Sequence, residues 1–119
     1  MKAAETFSRS ERLLKSADFR RVYDQKPPVK KGFLALRAAP NGSETTRMGV
    51  SISSRVVKLA SGRNRLKRLA REAFRKNKGK LRQGFDLVLN VRVNPGEGVG
   101  YVFFEKIFLE LAKTAGALA

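Results

Sequence analysis

Residues 63–82 read RNRLKRLAREAFRKNKGKLR and hold ten Lys or Arg side chains beside a single acid. The apolar residues of this stretch recur at offsets of three and four, which predicts a helix with one buried face. They are Leu66, Leu69, Ala70, Ala73 and Phe74. We predict that this basic helix runs from about residue 59 to about residue 77 and is closed by Gly79.

The exposed side of the basic helix carries Arg63, Lys67 and Arg71 in a row, because these residues are spaced four apart. Like charges in a row repel each other, and cations in a first helical turn oppose the helix dipole. A polyanion lying along the helix would relieve both penalties and would use the free N–H groups at the helix start. A solvated face with salt-bridge partners is the alternative, but Glu72 is the one acid of the stretch. The pattern therefore favours phosphate binding.

The whole chain is basic, with a formal net charge of +16 over 119 residues and a pI of about 11.2. This balance indicates a polyanionic partner, first a nucleic acid and second an acidic membrane surface. A hydrophobic fraction of 42% with eight Phe residues predicts a folded chain. We expect one domain spanning residues 1–119. Roughly the first six and the last four residues should be held loosely.

The residue types that are missing exclude several kinds of chemistry. The chain has no Cys and no His, so it has no disulfide, no thiolate or imidazole metal site, and no Ser-His or Cys-His pair. Its ten acids are spread along the sequence. We therefore predict no catalytic residue and no metal site in the protein itself. Without a signal peptide or an apolar run of about eighteen residues, a soluble cytoplasmic protein is expected.

The remaining pattern predicts an α/β fold in which helices pack on one small mixed sheet in two layers. The predicted elements are a helix at 16–24, an extended piece at 29–31, a hairpin of strands 33–39 and 45–53, the basic helix, a strand at 85–93 and a helix at 101–115. The strand at 85–93 is apolar on both faces, so we expect it to be central in the sheet. One face of the hairpin is apolar, and the other is polar and low in bulk, which suits the floor of a groove.

Aromatic residues divide into one spaced pair and a larger set. Phe19 and Tyr23 lie four apart on the first helix. From the sequence alone, such a pair more often belongs to a core than to a ligand-binding platform. The aromatic residues that we expect to build the core are Phe74, Phe85, Phe103, Phe104 and Phe108.

Residues 60–71, ASGRNRLKRLAR, closely resemble the signature of the protein subunit of bacterial ribonuclease P. That signature reads Ala-x-x-Arg-Asn-Arg-hydrophobic-Lys-Arg-x-x-Arg. Four further segments resemble the family, and the likeness then covers roughly residues 7–113. They are FSRSERL at 7–13, DFRRVY at 18–23, MGVSIS at 48–53 and DLVL at 86–89. Two positions depart from the family pattern: Ser54-Arg55 supplies one cation where a basic pair is usual, and Tyr23 stands where Phe is common.

The resemblance implies a fold and a function. The fold is that of domain 2 of ribosomal protein S5, with the order α-β-β-(β)-α-β-α and a left-handed βαβ crossover, although general chirality rules favour the other hand. The function is to assist a catalytic RNA in removing the 5′ leader from precursor tRNA. The partners are the ribonuclease P RNA, bound 1:1, and precursor tRNA, with no membrane. Mg²⁺ is held mainly by the RNA, which performs the hydrolysis.

The resemblance also assigns residues to two sites. The side chains assigned to the catalytic RNA are Arg63, Asn64, Arg65, Lys67, Arg68 and Arg71. Arginines suit bidentate phosphate contacts, whereas Lys67 acts as a point charge, and Asn64 either caps the helix or bridges to the RNA backbone. The residues assigned to a cleft for the single-stranded leader are Phe19 and Tyr23, followed by the weaker candidates Phe33, Ser51, Arg55, Arg9 and Arg12.

Three alternatives stay open at this point. A non-enzymatic RNA-binding module such as a ribosomal protein explains the charge and the fold, but not the ordered basic signature. A protein-only nuclease is disfavoured by the absence of His and of clustered acids. A membrane-surface binder would need a large exposed apolar helix face, which this chain needs for its core.

Overall fold

The computed structural model describes residues 7–119, so the loosely held first six residues that we expected lie outside the described range. Within that range the chain forms a four-stranded sheet and three α-helices. The α-helices and strands in chain order are α1 (Ser16–Gln25), β1 (Val29–Lys31), β2 (Leu34–Pro40), β3 (Arg47–Ser51), α2 (Ala60–Asn77), β4 (Phe85–Val91) and α3 (Tyr101–Thr114). Short 3₁₀ turns occupy Arg9–Glu11 and Lys78–Lys80. The mixed α/β fold that the sequence predicts is confirmed.

The strand order is β1-β2-β4-β3, so the predicted pairing of the strands at 33–39 and 45–53 as a hairpin is wrong. β4 lies between them, antiparallel to β2 and parallel to β3. The reason is that β4 buries residues on both faces, and a central position gives it a neighbour on each edge. The central position of this strand was correctly predicted. The βαβ unit β3–α2–β4 is present, and its left hand stays a prediction.

The two faces of the sheet are covered unequally. On one face, Leu36, Leu87 and Leu89 join the buried side of α2 and α3 in the main core. On the other face, Val88 and Ala39 meet Val22 of α1 and Leu13 in a much smaller apolar cluster. α1 therefore lies on the sheet with little apolar support, while α2 and α3 rest on an extensive core.

The aromatic residues of the predicted core are placed correctly with one clear exception. Phe74, Phe104 and Phe108 are fully buried, and Phe85 is partly buried against the main core. Phe103 is 55% exposed, so its assignment to the core is wrong. Consecutive helix residues point about 100° apart, and Phe104 takes the position that faces the sheet.

The C-terminus is tied down, contrary to the expectation of a loose end. After α3, Gly116 adopts a φ of 79°, which reverses the chain. Ala117 is then buried, its carbonyl accepts a hydrogen bond from the Arg82 N–H at 2.7 Å, and the Ala119 N–H donates to the Lys80 carbonyl at 2.8 Å. The last residues thus pair with the segment before β4.

Candidate nucleic-acid interface

The edge strand β3 lies between two grooves. One face of β3 is covered by α1 and the other by α2. The outer edge of β3 pairs with the chain at Arg12 and Leu13, where the Leu13 N–H donates to the Met48 carbonyl at 3.0 Å. Beyond this contact Val50 is half-buried and Ser51 is exposed. The strand therefore presents its C-terminal end between the two helices.

The first groove runs between α1 and β3 and has a volume of about 370 Å³. We call it the aromatic cleft, and its lining residues are Ser16, Phe19, Arg20, Tyr23, Val50 and Ser51. Three residues that the family resemblance assigned to the leader site, Phe19, Tyr23 and Ser51, are thus brought together. The cleft is open, which suits an extended ligand that passes through it.

Gly49 allows the ring of Phe19 to lie against the sheet. A Cβ atom built on Gly49 would overlap the end of that ring and would come 3.0 Å from the Leu13 Cβ. Gly49 is buried, and Phe19 is half-buried above it. The low bulk of this strand face, which the sequence showed, is therefore filled by an aromatic side chain of α1.

Tyr23 is held by two polar residues of the sheet and keeps 38% of its surface exposed. The Arg37 guanidinium carbon lies 4.4 Å from the ring centroid, and the Asn90 Nδ2 donates to the Tyr23 hydroxyl at 3.0 Å. Asn90 also donates to the Ser51 carbonyl at 3.3 Å. Sequence reasoning missed Arg37 and Asn90. Their signal was a polar residue inside a mostly apolar strand, Arg37 in β2 and Asn90 in β4.

The second groove, between residues 12–14, β3 and α2, is smaller and basic. Its volume is about 100 Å³, and we call it the basic groove; its polar lining residues are Arg12, Lys67 and Arg71. Arg12 therefore joins the α2 cations rather than the aromatic cleft to which it was assigned. The reason is the β-bridge between Arg12 and Met48, which places Arg12 at the α2 side of the edge. Its guanidinium carbon lies 5.0 Å from the centroid of Phe7.

The central cations of α2 are available to a ligand. The side chains of Lys67, Arg68 and Arg71 make no hydrogen bond or ion pair with another residue of the range 7–119. Glu72, the neighbouring acid, pairs with Arg75 at 2.7 Å, and this hydrogen bond lowers the pKa of Glu72. These three cations therefore carry uncompensated charge along the helix.

Arg63 and Arg65 have partners within the fold. The Arg63 Nη1 donates to the carbonyls of Val57 and Lys58, both at 2.9 Å, and Arg65 donates to the Val99 carbonyl. Arg63 therefore differs from Lys67 and Arg71 in the predicted row, because its guanidinium also satisfies carbonyls of the loop before α2.

Asn64 is exposed as the fifth residue of α2, and the N-cap position is Leu59 without a side-chain cap. The suggestion that Asn64 caps the helix is therefore wrong. Its position one turn before Arg68 extends the exposed polar face of the helix.

Phe33 does not line the aromatic cleft, so its assignment is wrong. It is 6% exposed, and its ring centroid lies 5.8 Å from that of Phe104 on the opposite face of the sheet. Phe33 precedes β2 in a turn where Gly32 has a φ of 58°. Its side chain therefore does not follow the alternation of side chains between the two faces of the strand. Arg9 and Arg55 are exposed and line neither groove within the described part of the chain.

Asp86 forms a buried charge cluster that the sequence did not reveal. Its side chain is fully buried and accepts hydrogen bonds from Arg47 at 2.9 and 2.7 Å, from Asn41 at 2.8 Å, and from Arg21. Burial alone would raise the pKa of Asp86. The hydrogen bonds from Arg47 and Asn41, with the charges of Arg47 and Arg21, outweigh it and lower this pKa.

Metal-ligand and membrane features are absent from the described residues. Residues 7–119 contain no group of three or more acidic side chains that could hold a metal ion. No helix in that range is both long and apolar enough to cross a membrane.

Comparison with known proteins identifies the family. The family model Ribonuclease P matches residues 7–115. The ribonuclease P protein component of Caldanaerobacter subterraneus subsp. tengcongensis is 37% identical over 103 residues, covering 87% of this chain and 88% of that protein. The corresponding component of Azotobacter vinelandii is 44% identical over 94 residues, covering 76% of this chain and 70% of that protein.

Solved structures agree with the sequence comparison. The ribonuclease P protein from Thermotoga maritima has a TM-score of 0.79 and 30% identity, covering 87% of this chain and 96% of that one. The Staphylococcus aureus ribonuclease P protein has a TM-score of 0.80 and 24% identity, covering 92% of this chain and 98% of that one. At this identity the likeness supports the fold alone. With a family match from residue 7 to residue 115, the chain belongs to the bacterial ribonuclease P protein family.

Proposed function

We propose that this chain, as the protein component of a ribonuclease P, binds two RNAs with two neighbouring surfaces. The central cations of α2 bind the catalytic RNA, and the aromatic cleft binds the single-stranded 5′ leader of precursor tRNA. The observation that carries the proposal is that both surfaces flank the same edge strand, with Val50 lining both grooves. One protein can therefore hold the leader beside the RNA that cleaves it.

The surface for the catalytic RNA consists of Lys67, Arg68, Arg71 and Asn64, with Arg12 at its border. Two of these residues are arginines of α2 without internal partners, and a guanidinium can bind a phosphate through two parallel N–H donors. Arg63 and Arg65 shape the start of the helix. Each guanidinium has five N–H donors, so both keep donors that add to this surface.

The aromatic cleft suits a single strand of varied sequence. Stacking of bases on aromatic rings contributes about 1–3 kcal/mol per base and tolerates any base, because every base has a π-face. Phe19 and Tyr23 supply the rings, and Arg20 supplies a cation at the same groove. Residues 7–119 form this cleft and this helix surface side by side, which supports the proposed 1:1 complex with the RNA.

The hydrolysis itself belongs to the RNA partner in this proposal. The described residues offer no cluster of acids for Mg²⁺, which prefers carboxylate and phosphate oxygens. We place the ion mainly on RNA phosphates, whose oxygens it prefers. The protein neutralises backbone charge and raises the affinity of the complex for its substrate and its metal ions.

The proposal is tested by adding the purified chain to its cognate ribonuclease P RNA at low Mg²⁺ and measuring precursor tRNA cleavage. The substrates carry leaders of stepwise increasing length, with a leaderless tRNA as the binding reference. We expect the protein to stimulate cleavage and to raise affinity as the leader lengthens. A Phe19→Ala/Tyr23→Ala variant should lose the dependence on leader length. An absence of stimulation by the unmodified chain would refute the proposed function.

A further inference from the structure

The helix that carries both rings of the aromatic cleft has little apolar support. In α1 the one fully buried residue is Val22, and its cluster contains Leu13, Ala39 and Val88, with Phe19 packed at the margin. An apolar contact this small fixes the distance of a helix from a sheet, but it does not define the rotation of the helix about its axis. On the cleft side Arg37 and Asn90 hold Tyr23, so the rotation of the helix also depends on the contacts of its other flank.

Charged contacts hold the other flank of the helix. Helical geometry places Phe19 and Tyr23 on one side of Val22, and Asp18 and Arg21 on the other. The Arg21 guanidinium bonds Asp86 and donates to the Pro40 carbonyl at 3.2 Å. Asp18 lies 3.6 Å from the Arg47 guanidinium. The helix is thus tied to the sheet on the side away from the cleft.

The Asp86 carboxylate, which accepts the hydrogen bond from Arg21, is itself held in place. Asp86 is fully buried near the start of the central strand, and Arg47 binds both of its carboxylate oxygens. The Asn41 amide adds a hydrogen bond from the turn that follows β2. Because Arg47 and Asn41 together make three hydrogen bonds to Asp86, its carboxylate offers Arg21 a rigid point of attachment.

We propose that the Arg21–Asp86 ion pair is a positioning element that sets the rotation of α1 and thereby the shape of the aromatic cleft. This inference rests on the proposed function of the cleft. Arg21 and Asp86 do not line the cleft, so they act through Phe19 and Tyr23 rather than on the leader. A helix rotation of about 20° moves a side chain that lies about 6 Å from the axis by roughly 2 Å. A displacement of that size separates a stacked base from its ring.

The variant that isolates this contact is Arg21→Gln, which leaves the bonds between Asp86 and Arg47 in place. We expect the gain in affinity that a full-length leader provides to fall by about fivefold or more, the equivalent of one lost base stack. Affinity for the catalytic RNA should stay unchanged, because α2 rests on the main core. Arg21→Lys restores the charge facing Asp86 and should recover most of the leader effect.

Two controls separate positioning from charge. Lys15→Gln removes one exposed cation beside the same helix and reports the effect of net charge alone. The slope of log affinity against log salt shows whether Arg21 contacts an RNA phosphate itself, since the loss of one phosphate contact lowers that slope by about one unit. A positioning residue leaves the slope unchanged.

The measurement is the affinity of the assembled RNA–protein complex for leader-bearing and leaderless tRNA at several salt concentrations. A selective loss of the leader effect in Arg21→Gln, with an unchanged salt slope and rescue by Arg21→Lys, supports the inference. An unchanged leader effect, a slope reduced by one unit, or an equal loss of affinity for the catalytic RNA would overturn it. If the unmodified complex itself shows no leader dependence, the proposed function fails first.

Discussion

The ring of Phe19 lies on the backbone of Gly49, so the missing side chain of the strand residue makes room for the aromatic residue of the helix. The contact joins the first helix to the edge strand at the floor of the aromatic cleft. Both residues stand in segments that resemble the family, although the sequence alone gave no sign that they touch.

Gly49→Ala should disturb the cleft by displacing the Phe19 ring. Overpacking of this kind costs about 1–3 kcal/mol of unfolding free energy, and the affinity for a leader-bearing precursor should fall with it. Urea unfolding and a binding titration with the assembled complex measure the two effects. Gly98→Ala is the matched control, because a Cβ there meets nothing within 4 Å. Equal changes of unfolding free energy and of affinity in the two variants would contradict the contact between Phe19 and Gly49.

Removal of two central cations from α2 should weaken binding to the catalytic RNA. For Lys67→Ala/Arg71→Ala, we expect the slope of log affinity against log salt to fall by roughly two units, one for each lost phosphate contact. The control Lys106→Ala/Lys113→Ala removes the same charge from exposed positions of α3. The phosphate role of α2 is wrong if both double variants change the slope equally.

The buried cluster around Asp86 should make folding sensitive to acid. The pKa of Asp86 is lower in the folded chain, where Arg47, Arg21 and Asn41 surround the carboxylate. At a pH between the pKa of Asp86 in the folded chain and its ordinary pKa of about 3.9, the unfolded chain therefore binds more protons than the folded chain. Unfolding free energy then rises with pH in this window. The stabilisation is complete above the ordinary value and is lost as the pH falls through the folded value.

Asp86→Asn tests this dependence. Loss of the buried acid should cost about 3–5 kcal/mol at neutral pH, because two guanidinium groups lose their partner. The unfolding free energy of the variant should also vary less with pH below about 4. Glu72→Gln, which breaks the more exposed pair with Arg75, is the comparison and should change the curve less. If the unfolding free energies of the unmodified chain and of Asp86→Asn fell equally as the pH drops below about 4, the account would be contradicted.

The neighbouring residues Phe103 and Phe104 should differ in their effect on stability. Phe104 is fully buried, so Phe104→Ala should cost about 3–5 kcal/mol of unfolding free energy. Phe103 is 55% exposed and touches Phe33 at 6.3 Å between ring centroids, so Phe103→Ala should cost about 1 kcal/mol. Thermal or urea unfolding checks the pair, and similar losses would show that Phe103 belongs to the core.

Local patterns predicted the elements but not the pairing of the strands. The helical spacing of Leu66, Ala70, Ala73 and Phe74 predicted the position of α2. The structure buries these same residues. The hairpin failed because a turn signal says that the chain reverses, but not that its two strands become neighbours. β4, which comes later in the sequence, takes the place between them.

The site could be predicted where spacing along a helix decides it, and could not where a tertiary contact does. The spacing of Phe19 and Tyr23 put both rings on one side of α1, which the structure confirms, whereas their assignment to a binding cleft came from the family resemblance. Arg63 has the same spacing relative to Lys67, yet two loop carbonyls bind its guanidinium. Asp86 and Arg21 are 65 residues apart, and no local pattern joins them.

The central claim is that the two surfaces serve two different RNAs. The most direct test measures two affinities, for the catalytic RNA and for the leader of precursor tRNA, in two double variants. We expect Phe19→Ala/Tyr23→Ala to lose the leader effect and keep its affinity for the catalytic RNA. Lys67→Ala/Arg71→Ala should lose affinity for the catalytic RNA and, once saturated with that RNA, keep the leader effect. Equal loss of both affinities in both variants would contradict the account.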